Sequence, residues 1–456
     1  MDKLYGATSE QIQSWIYYTM YPTHINHQVI ILETTLVGLD LPALNNAIEY
    51  LVIRHESLRT YFVEIEDTLK QCIVPFDRNV FMPVYFDISA LHSAEDYIDE
   101  VKEETKVKLS NLSKPPLMYC TIFKITDIKY QICFMIHHII SDEWSKMILH
   151  KELGMFYELF RKGEKVDLPP LEMQLKDYAS WQRSWFEENG ESASNYWSEK
   201  LSSRLRPNPD KLIQHYKPLL NLSIGTHHNE KIYSSVENIK NVLDTQKSAC
   251  CNSYIHGQKY MALNQYCRSE GVSIGAALNA SFQILFYSMI GKSEILLTMP
   301  VVNRFLEATQ SIIGGLGGGI YLMQPIQPEM QANDFIKAVY IEFLKSAGTL
   351  IFDHVEMKLD GNILRLLTDL YVNFMNKSVT SKEKIKITAK ESHAILNDPE
   401  FYGISCIITE YKDGLFMQWK YNVALYSAAF VDKLIKKHLL QLDKIILNPN
   451  ITINNL

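Results

Sequence analysis

The chain has 456 residues, 47% of them hydrophobic and 21% charged, with a formal net charge of -7. That length suits two core-bearing lobes, and that composition is the ordinary one of globular proteins. The negative balance gives no general attraction to nucleic acid or to an anionic membrane, and no uninterrupted apolar run reaches the roughly 18 residues of a spanning helix.

Seven cysteines fall at 72, 120, 133, 250, 251, 267 and 406, an odd number with no framework spacing. Reduced thiols in a cytoplasmic protein are therefore expected. The opening MDKLYGATSEQIQSW has no basic region followed by an apolar core, so it does not read as a signal peptide.

In chain order, residues 8–20 open with Thr8 or Ser9 as a helix cap, followed by Ile12, Trp15, Ile16 and Met20 at helical spacing. Gln28 to Leu36 is rich in Val, Ile and Thr and predicts a strand. Leu41 to His55 predicts a helix with Leu44, Ala47, Ile48 and Leu51 on one face, ending in RHESLRTYF at 54–62. Residues 95–109 form an amphipathic helix, and Leu117 to Ile125 a strand.

The stretch from Tyr130 to Ser145 organises the rest. An apolar run, Ile132 to Ile136, reads as a buried strand and ends in His137 and His138; Asp142 follows, and a helix then carries Trp144, Ile148, Leu153 and Phe156. Successive strand residues point to opposite sides, so one imidazole is expected to face a cleft while the other packs. A metal site is disfavoured, because neither Cys-x-x-Cys nor His-Glu-x-x-His accompanies the pair. No Gly-x-Ser-x-Gly elbow supplies an acyl-enzyme nucleophile, and Ser145 reads as a helix residue.

Beyond a Pro-containing connection at 165–171, LKDYASWQ at 175–182 puts Tyr178, Trp181 and Trp185 on one helical face. From 205 to 252 the pattern weakens into a polar, Pro-containing connector. Met261 to Ile290 predicts two helices split near Gly271, the second buried; Glu294 to Val302 predicts a buried strand leading into Asn303-Arg304. The glycine-rich SIIGGLGGGIYLMQPI at 311–326 lacks the Gly-Lys-Ser/Thr of a phosphate cradle, so its glycines more simply let the backbone pass close to a ligand or strand. Asn333 to Phe352 predicts a helix and Asp353-His354 a loop. Gly403 to Thr409 and Leu415 to Tyr421 predict a hairpin turning at Lys412-Asp413-Gly414, and Ala428 to Ile446 a closing helix.

Four of these motifs resemble those of condensation domains of nonribosomal peptide synthetases, in the chloramphenicol-acetyltransferase-like acyltransferase superfamily: His137-His138-x-x-x-Asp142, RHESLRTYF, the Asp-Tyr-Ala-x-Trp-Gln at 177–182, and Asn303-Arg304 with its Gly-containing continuation. The resemblance implies an α/β fold of two chloramphenicol-acetyltransferase-like lobes, each a mixed sheet flanked by helices, in a V-shaped pseudo-dimer with a tunnel between them. The lobes would be residues 1–178 and 179–456. It implies amide-bond formation from a carrier-bound acyl or aminoacyl thioester and an amine acceptor. His138 would be the catalytic histidine, His137 its support, and Asp142 a structural partner of Arg304. No cofactor is expected on the chain itself; substrates would arrive on the phosphopantetheine of carrier proteins, with a small-molecule amine as a possible acceptor.

Two departures stand out. Glu143 replaces the glycine that usually follows the aspartate, and the usual Phe-Val-Asn-Thr reads Leu316-Gly317-Gly318-Gly319. With Trp144, Ser145 and Gly315, these residues are assigned to the substrate channel. Two other readings stay open: acyl transfer to a soluble amine or alcohol from a carrier or coenzyme A thioester, and a non-catalytic docking module of the same fold.

Overall fold

The computed structural model describes residues 3–20, 29–202, 236–245, 247–349, 368–376, 393–396, 400 and 402–456. The expected strand start at Gln28, most of the polar connector and the Asp353-His354 loop lie outside these residues.

Contacts divide the chain into two compact units, Met1–Gly190 with Val302–Gly318, and Glu191–Val301 with Gly319–Leu456. In the first, strand β1 (Lys3–Gly6) precedes helix α1 (Ser9–Met20), β2 (Val29–Val37), α2 (Leu41–Arg54), β3 (Thr60–Ile65), β4 (Thr68–Ile73), the short α3 (Arg78–Phe81), β5 (Val84–Asp87), α4 (Ala94–Leu109), β6 (Met118–Lys124), β7 (Lys129–His137) and α5 (Glu143–Arg161). α6 (Leu175–Lys200) runs through the boundary at Gly190. α1 starts with Thr8 as its cap, in line with the sequence: Gln11 N–H donates to the Thr8 hydroxyl at 3.1 Å, and Thr8 N–H to the Gln11 side-chain Oε1 at 2.8 Å. This is a capping box, and it fixes the first turn of the helix.

A four-stranded sheet, ordered β2-β7-β6-β5, forms the centre of this unit. Alternation along β7 divides its side chains between two cores. Ile132, Phe134 and Ile136 pack with Leu44, Ile48 and Leu51 of α2 and with Leu149 and Phe156 of α5; Cys133 and Met135 pack with Ile98 and Leu109 of α4. Helices on both faces explain the unbroken apolar run, because neither side of the strand meets water. His137 ends the strand on the side of Cys133 and Met135.

The RHESLRTYF segment is architectural. The Arg59 guanidinium donates to the carbonyls of Val52, Ile53 and Val74, and buried His55 pairs with Glu152 at 2.7 Å. Its charges therefore stitch the end of α2 to the strands that follow.

The second unit comprises α7 (Val236–Thr245), β8 (Ser248–His256), α8 (Gly257–Glu270), α9 (Ile274–Ile290), β9 (Leu297–Val301), β10 (Gly318–Leu322), α10 (Ala332–Gly348), β11 (Leu370–Asn376), β12 (Ala394–Leu396), β13 (Ile404–Tyr411), β14 (Gly414–Asn422) and α11 (Ala428–Leu447). Its seven-stranded mixed sheet is ordered β10-β9-β11-β13-β14-β8-β12. The β13–β14 hairpin turns at Lys412-Asp413 as its sequence predicts, with Tyr411 opposite Gly414. α8 ends at Gly271 with φ 69°, a left-handed cap that glycine adopts without strain. Among the described residues no single helix is long and apolar enough to cross a membrane.

One expectation is corrected here. The sequence pattern extends the connector to Asn252, yet β8 begins at Ser248 and pairs along its length with β14. SACCNSYIH hides its strand character because some of its inward positions are serines. Trp419 N–H donates to the buried Ser253 hydroxyl at 3.0 Å, so a polar residue fits inside.

His438 lies fully buried in α11, stacked on Phe282 at a centroid distance of 4.3 Å. Burial, with a lesser contribution from Lys259, lowers its pKa from 6.5 to about 3. Between those values the unfolded chain holds a proton that the folded protein does not, so acid favours unfolding. Stability is expected to be full above about pH 6.5 and to fall as pH drops, by ~1.4 kcal/mol per pH unit for each such proton. Denaturant titrations from pH 7 to 4 should show a shallower acid limb for His438→Phe, by up to one proton; an unchanged slope would remove His438 from the account.

Candidate active site

The histidine stretch is built by the end of β7. His137 closes the strand, and a single 3-10 turn, His138–Ile140, carries the chain to Asp142 at the start of α5. His137 is fully buried, and its Nδ1 accepts the Ile139 N–H at 3.1 Å. Its imidazole thus caps the turn that presents His138, and Nδ1 must be unprotonated to do so. The surroundings agree: burial first, then the neighbouring His138, lowers its pKa to about 3. The Ser141 hydroxyl donates to the His137 carbonyl at 3.1 Å, and Ser141 N–H to the His138 carbonyl at 3.1 Å. His138 itself is half-buried. His137 is thus packed, while His138, at the start of the turn, is partly exposed.

Asp142 begins α5 as its cap and, with Ser145, forms a capping box. The carboxylate accepts the Ser145 N–H at 2.7 Å, and the Ser145 hydroxyl accepts the Asp142 N–H at 3.2 Å. The same carboxylate meets Arg304, whose Nη2 lies 3.0 Å from Oδ1 and 2.8 Å from Oδ2. Arg304 then donates to three carbonyls, Thr309 at 2.7 Å, Ile312 at 2.6 Å and Gly314 at 2.9 Å. One guanidinium therefore folds the segment after it around itself and ties that segment to the start of α5. The Ser145 hydroxyl adds a further link by accepting the Gly314 N–H at 2.9 Å.

These contacts explain two glycines. A Cβ on Gly314 would lie 2.6 Å from Leu175 Cδ1, and one on Gly315 would lie 3.3 Å from Glu10 Cγ and 3.5 Å from the His138 carbonyl. Gly314 thus lies where a side chain would collide with Leu175, while Gly315 is tight against Glu10 and in ordinary contact with the His138 carbonyl.

The residues assigned to a channel separate on inspection. Ser145 and Leu316 are corrected: Ser145 is fully buried with its hydroxyl engaged, and Leu316 packs with Leu175, Tyr178 and Ile312, so neither borders accessible space. Trp144 is partly buried; its indole N–H donates to the Gln310 carbonyl at 3.0 Å, and its ring stands 5.9 Å from the Arg304 guanidinium. Glu143 is exposed and pairs with Lys146 at 3.1 Å, one turn along α5. Gly317, Gly318 and Gly319 are half-buried, and among the described residues a Cβ at Gly319 would meet nothing within 4 Å.

Three residues have a structural weight that the sequence does not reveal. Tyr178 reads there as one member of an aromatic helix face, yet its buried hydroxyl accepts from Asn303 Nδ2 at 3.0 Å. Gln182, from the same motif, accepts the Ser9 N–H at 2.8 Å. Gly314 owes its identity to Leu175. The spacing of Tyr178 and Gln182 on one helix is visible in the sequence; their partners, more than a hundred residues away, are not.

The sequence profile of the family described as "Condensation domain" matches residues 3–456, with the His-His-x-x-x-Asp turn in place. The chain belongs to the condensation-domain family. Condensation domains of nonribosomal peptide synthetases are acyltransferases that form amide bonds. A linear gramicidin synthase protein of Brevibacillus parabrevis is 25% identical over 95% of the chain, and bacitracin synthase 1 of Bacillus licheniformis 24% identical over 95%. The chain spans only 8% of the length of each of these relatives. Among solved structures, the condensation domain of the Monacolin K polyketide synthase MokA superposes with a TM-score of 0.73 at 12% identity, covering 99% of each chain. The X-domain from teicoplanin biosynthesis gives 0.70 at 15% identity, over 99% of this chain and 97% of its own. At such identities these likenesses establish the fold, mixed sheets flanked by helices.

Asp142→Asn leaves the Arg304 charge buried without its counter-ion, which is expected to cost about 3–5 kcal/mol of stability. Chemical denaturation would measure it, and a loss under ~1 kcal/mol would contradict the buried-pair account. Gly314→Ala is expected to destabilise by about 1–3 kcal/mol through overpacking on Leu175. The double variant with Leu175→Ala tests that cause: it should lose less than the sum of the two single changes.

Proposed function

We propose that this condensation domain joins an acyl or aminoacyl group, delivered as a phosphopantetheine thioester on a carrier protein, to an amine acceptor. The reading rests on one observation above the others: a half-buried His138 held on a turn that a neutral, buried His137 caps. In this reaction the amine nitrogen attacks the thioester carbonyl, the C–S bond breaks, and the carrier leaves as a thiol. His138 orients the attacking amine through an imidazole nitrogen and accepts the proton that nitrogen loses; the thiolate takes up a proton on leaving. His137 acts through backbone geometry, because its Nδ1 is committed to the Ile139 N–H. Asp142 is a positioning residue, since both its oxygens face Arg304.

In this reading phosphopantetheine belongs to the carrier, which is the proposed partner. A second acceptor class, a soluble amine or alcohol, is favoured by one feature: among the described residues nothing lies within 4 Å of a Cβ at Gly319, where the family usually carries a larger residue.

Intact-mass measurement of an acyl-loaded carrier protein, incubated with the domain and a panel of amines and loaded acceptor carriers, tests the proposal. Acyl loss with formation of the matching amide is expected. His138→Ala should lower the rate about 10²–10⁴-fold. A carrier that keeps its acyl group throughout, while still binding the domain, would favour the docking-module reading instead. His137 gives a sharper comparison: Asn at 137 can accept the Ile139 N–H and should retain more activity than Ala, which cannot. Equal losses would mean that His137 does more than cap the turn.

A further inference from the structure

Asn303 has φ 46°, in the left-handed region, and is the only buried non-glycine residue there among the described residues. The other two, Glu66 and Asp67, form the exposed turn between β3 and β4. A left-handed side-chain-bearing residue is disfavoured sterically, and such residues gather where a site requires them. Here the requirement is visible. In an extended chain, neighbouring side chains point to opposite sides. Yet Asn303 and Arg304 are both buried, at 7% and 5% exposure, while Val302 and Phe305 on either side are exposed at 51% and 68%. The kink at Asn303 lets two consecutive side chains turn inward, and the second is the guanidinium that holds Asp142.

Something must hold the kink. The Asn303 Nδ2 donates to the Tyr178 hydroxyl at 3.0 Å, and Tyr178 is anchored among Leu175, Ile312 and Leu316. Burial pushes the Tyr178 phenol well above its ordinary pKa, with the Glu10 charge adding to the shift and Arg304 opposing it, so the acceptor stays a neutral hydroxyl.

We propose that Tyr178 is a positioning residue for acyl transfer, holding Asn303 in its left-handed conformation so that Arg304 reaches Asp142 and fixes the backbone at 314–315 against the His138 turn. The inference rests on the assignment of that turn as the transfer site. It links a residue of α6, through Asn303 and Arg304, to the histidine turn that precedes it in the chain. It also predicts a dependence between positions: glycine adopts a positive φ freely, so a glycine at 303 should make the Tyr178 hydroxyl dispensable.

The test uses three variants, Tyr178→Phe, Asn303→Gly and the double variant, in the full chain. With an acyl-loaded carrier and an amine acceptor, Tyr178→Phe should lower kcat about tenfold at little-changed KM, the effect of losing one buried hydrogen bond. Asn303→Gly alone should stay within about twofold of wild type, and the double variant should recover to about that level. Hydrogen exchange read on peptides covering 304–316 supplies a second measure that needs no substrate. Protection there should fall in Tyr178→Phe and return in the double variant. If Tyr178→Phe matches wild type in both measures, or if the double variant is as impaired as the single, the proposal is overturned. Should Tyr178→Phe fail to fold, return of soluble protein in the double variant supports it and continued failure overturns it. Wild type that transfers nothing would sink the functional reading, while the exchange comparison still decides whether Tyr178 holds the segment.

Discussion

The buried pair between Asp142 and Arg304 is the contact on which the site's geometry depends. Removing a carboxylate and a guanidinium from water is costly, and their attraction offsets that cost only when the remaining hydrogen-bonding groups are also satisfied. Here they largely are. Asp142 also accepts from Ser145, and Arg304 also donates to Thr309, Ile312 and Gly314. The pair therefore acts as a node: it gathers the start of α5, the segment that follows β9 and the glycines that lie against the histidine turn. Arginine suits this role better than lysine, because its planar fork addresses several acceptors at once.

The histidines illustrate a related division. A residue cannot be both fully desolvated and available to a substrate. His137, inside, stays neutral and spends a ring nitrogen on a backbone N–H. His138, one position on, escapes the strand because that same contact closes the 3-10 turn. One imidazole thus becomes part of the scaffold for the other. The pair is best regarded as a structural unit that leaves one imidazole partly exposed.

Much of this is legible in the sequence, and the illegible part has a consistent cause. The apolar run of β7, the buried helix α9 and the hairpin at Lys412-Asp413 are local patterns, set by periodicity and turn chemistry. β8 escapes notice because its inward serines break the apolar alternation and are satisfied only by a partner such as Trp419. A channel position for Ser145 and Leu316 follows only from their neighbours in sequence, whereas their burial is set by contacts with Gly314 and with Leu175, Tyr178 and Ile312. Tyr178 and Gln182 show helical spacing alone, since a hydrogen bond to Asn303 or Ser9 leaves no trace within the motif.

The sequence by itself determined the family, the order of most elements and the identity of the histidine turn, because each depends on residues close together in the chain. It also pointed to the Asp142–Arg304 pairing, through resemblance. Only the tertiary structure decided what that pairing accomplishes. The kink at Asn303, the carbonyls gathered by Arg304, and the glycine pressed against Leu175 all depend on distances between segments remote in sequence. Packing fixes such distances only when the whole unit has folded, and residue patterns along one strand or helix contain no record of them.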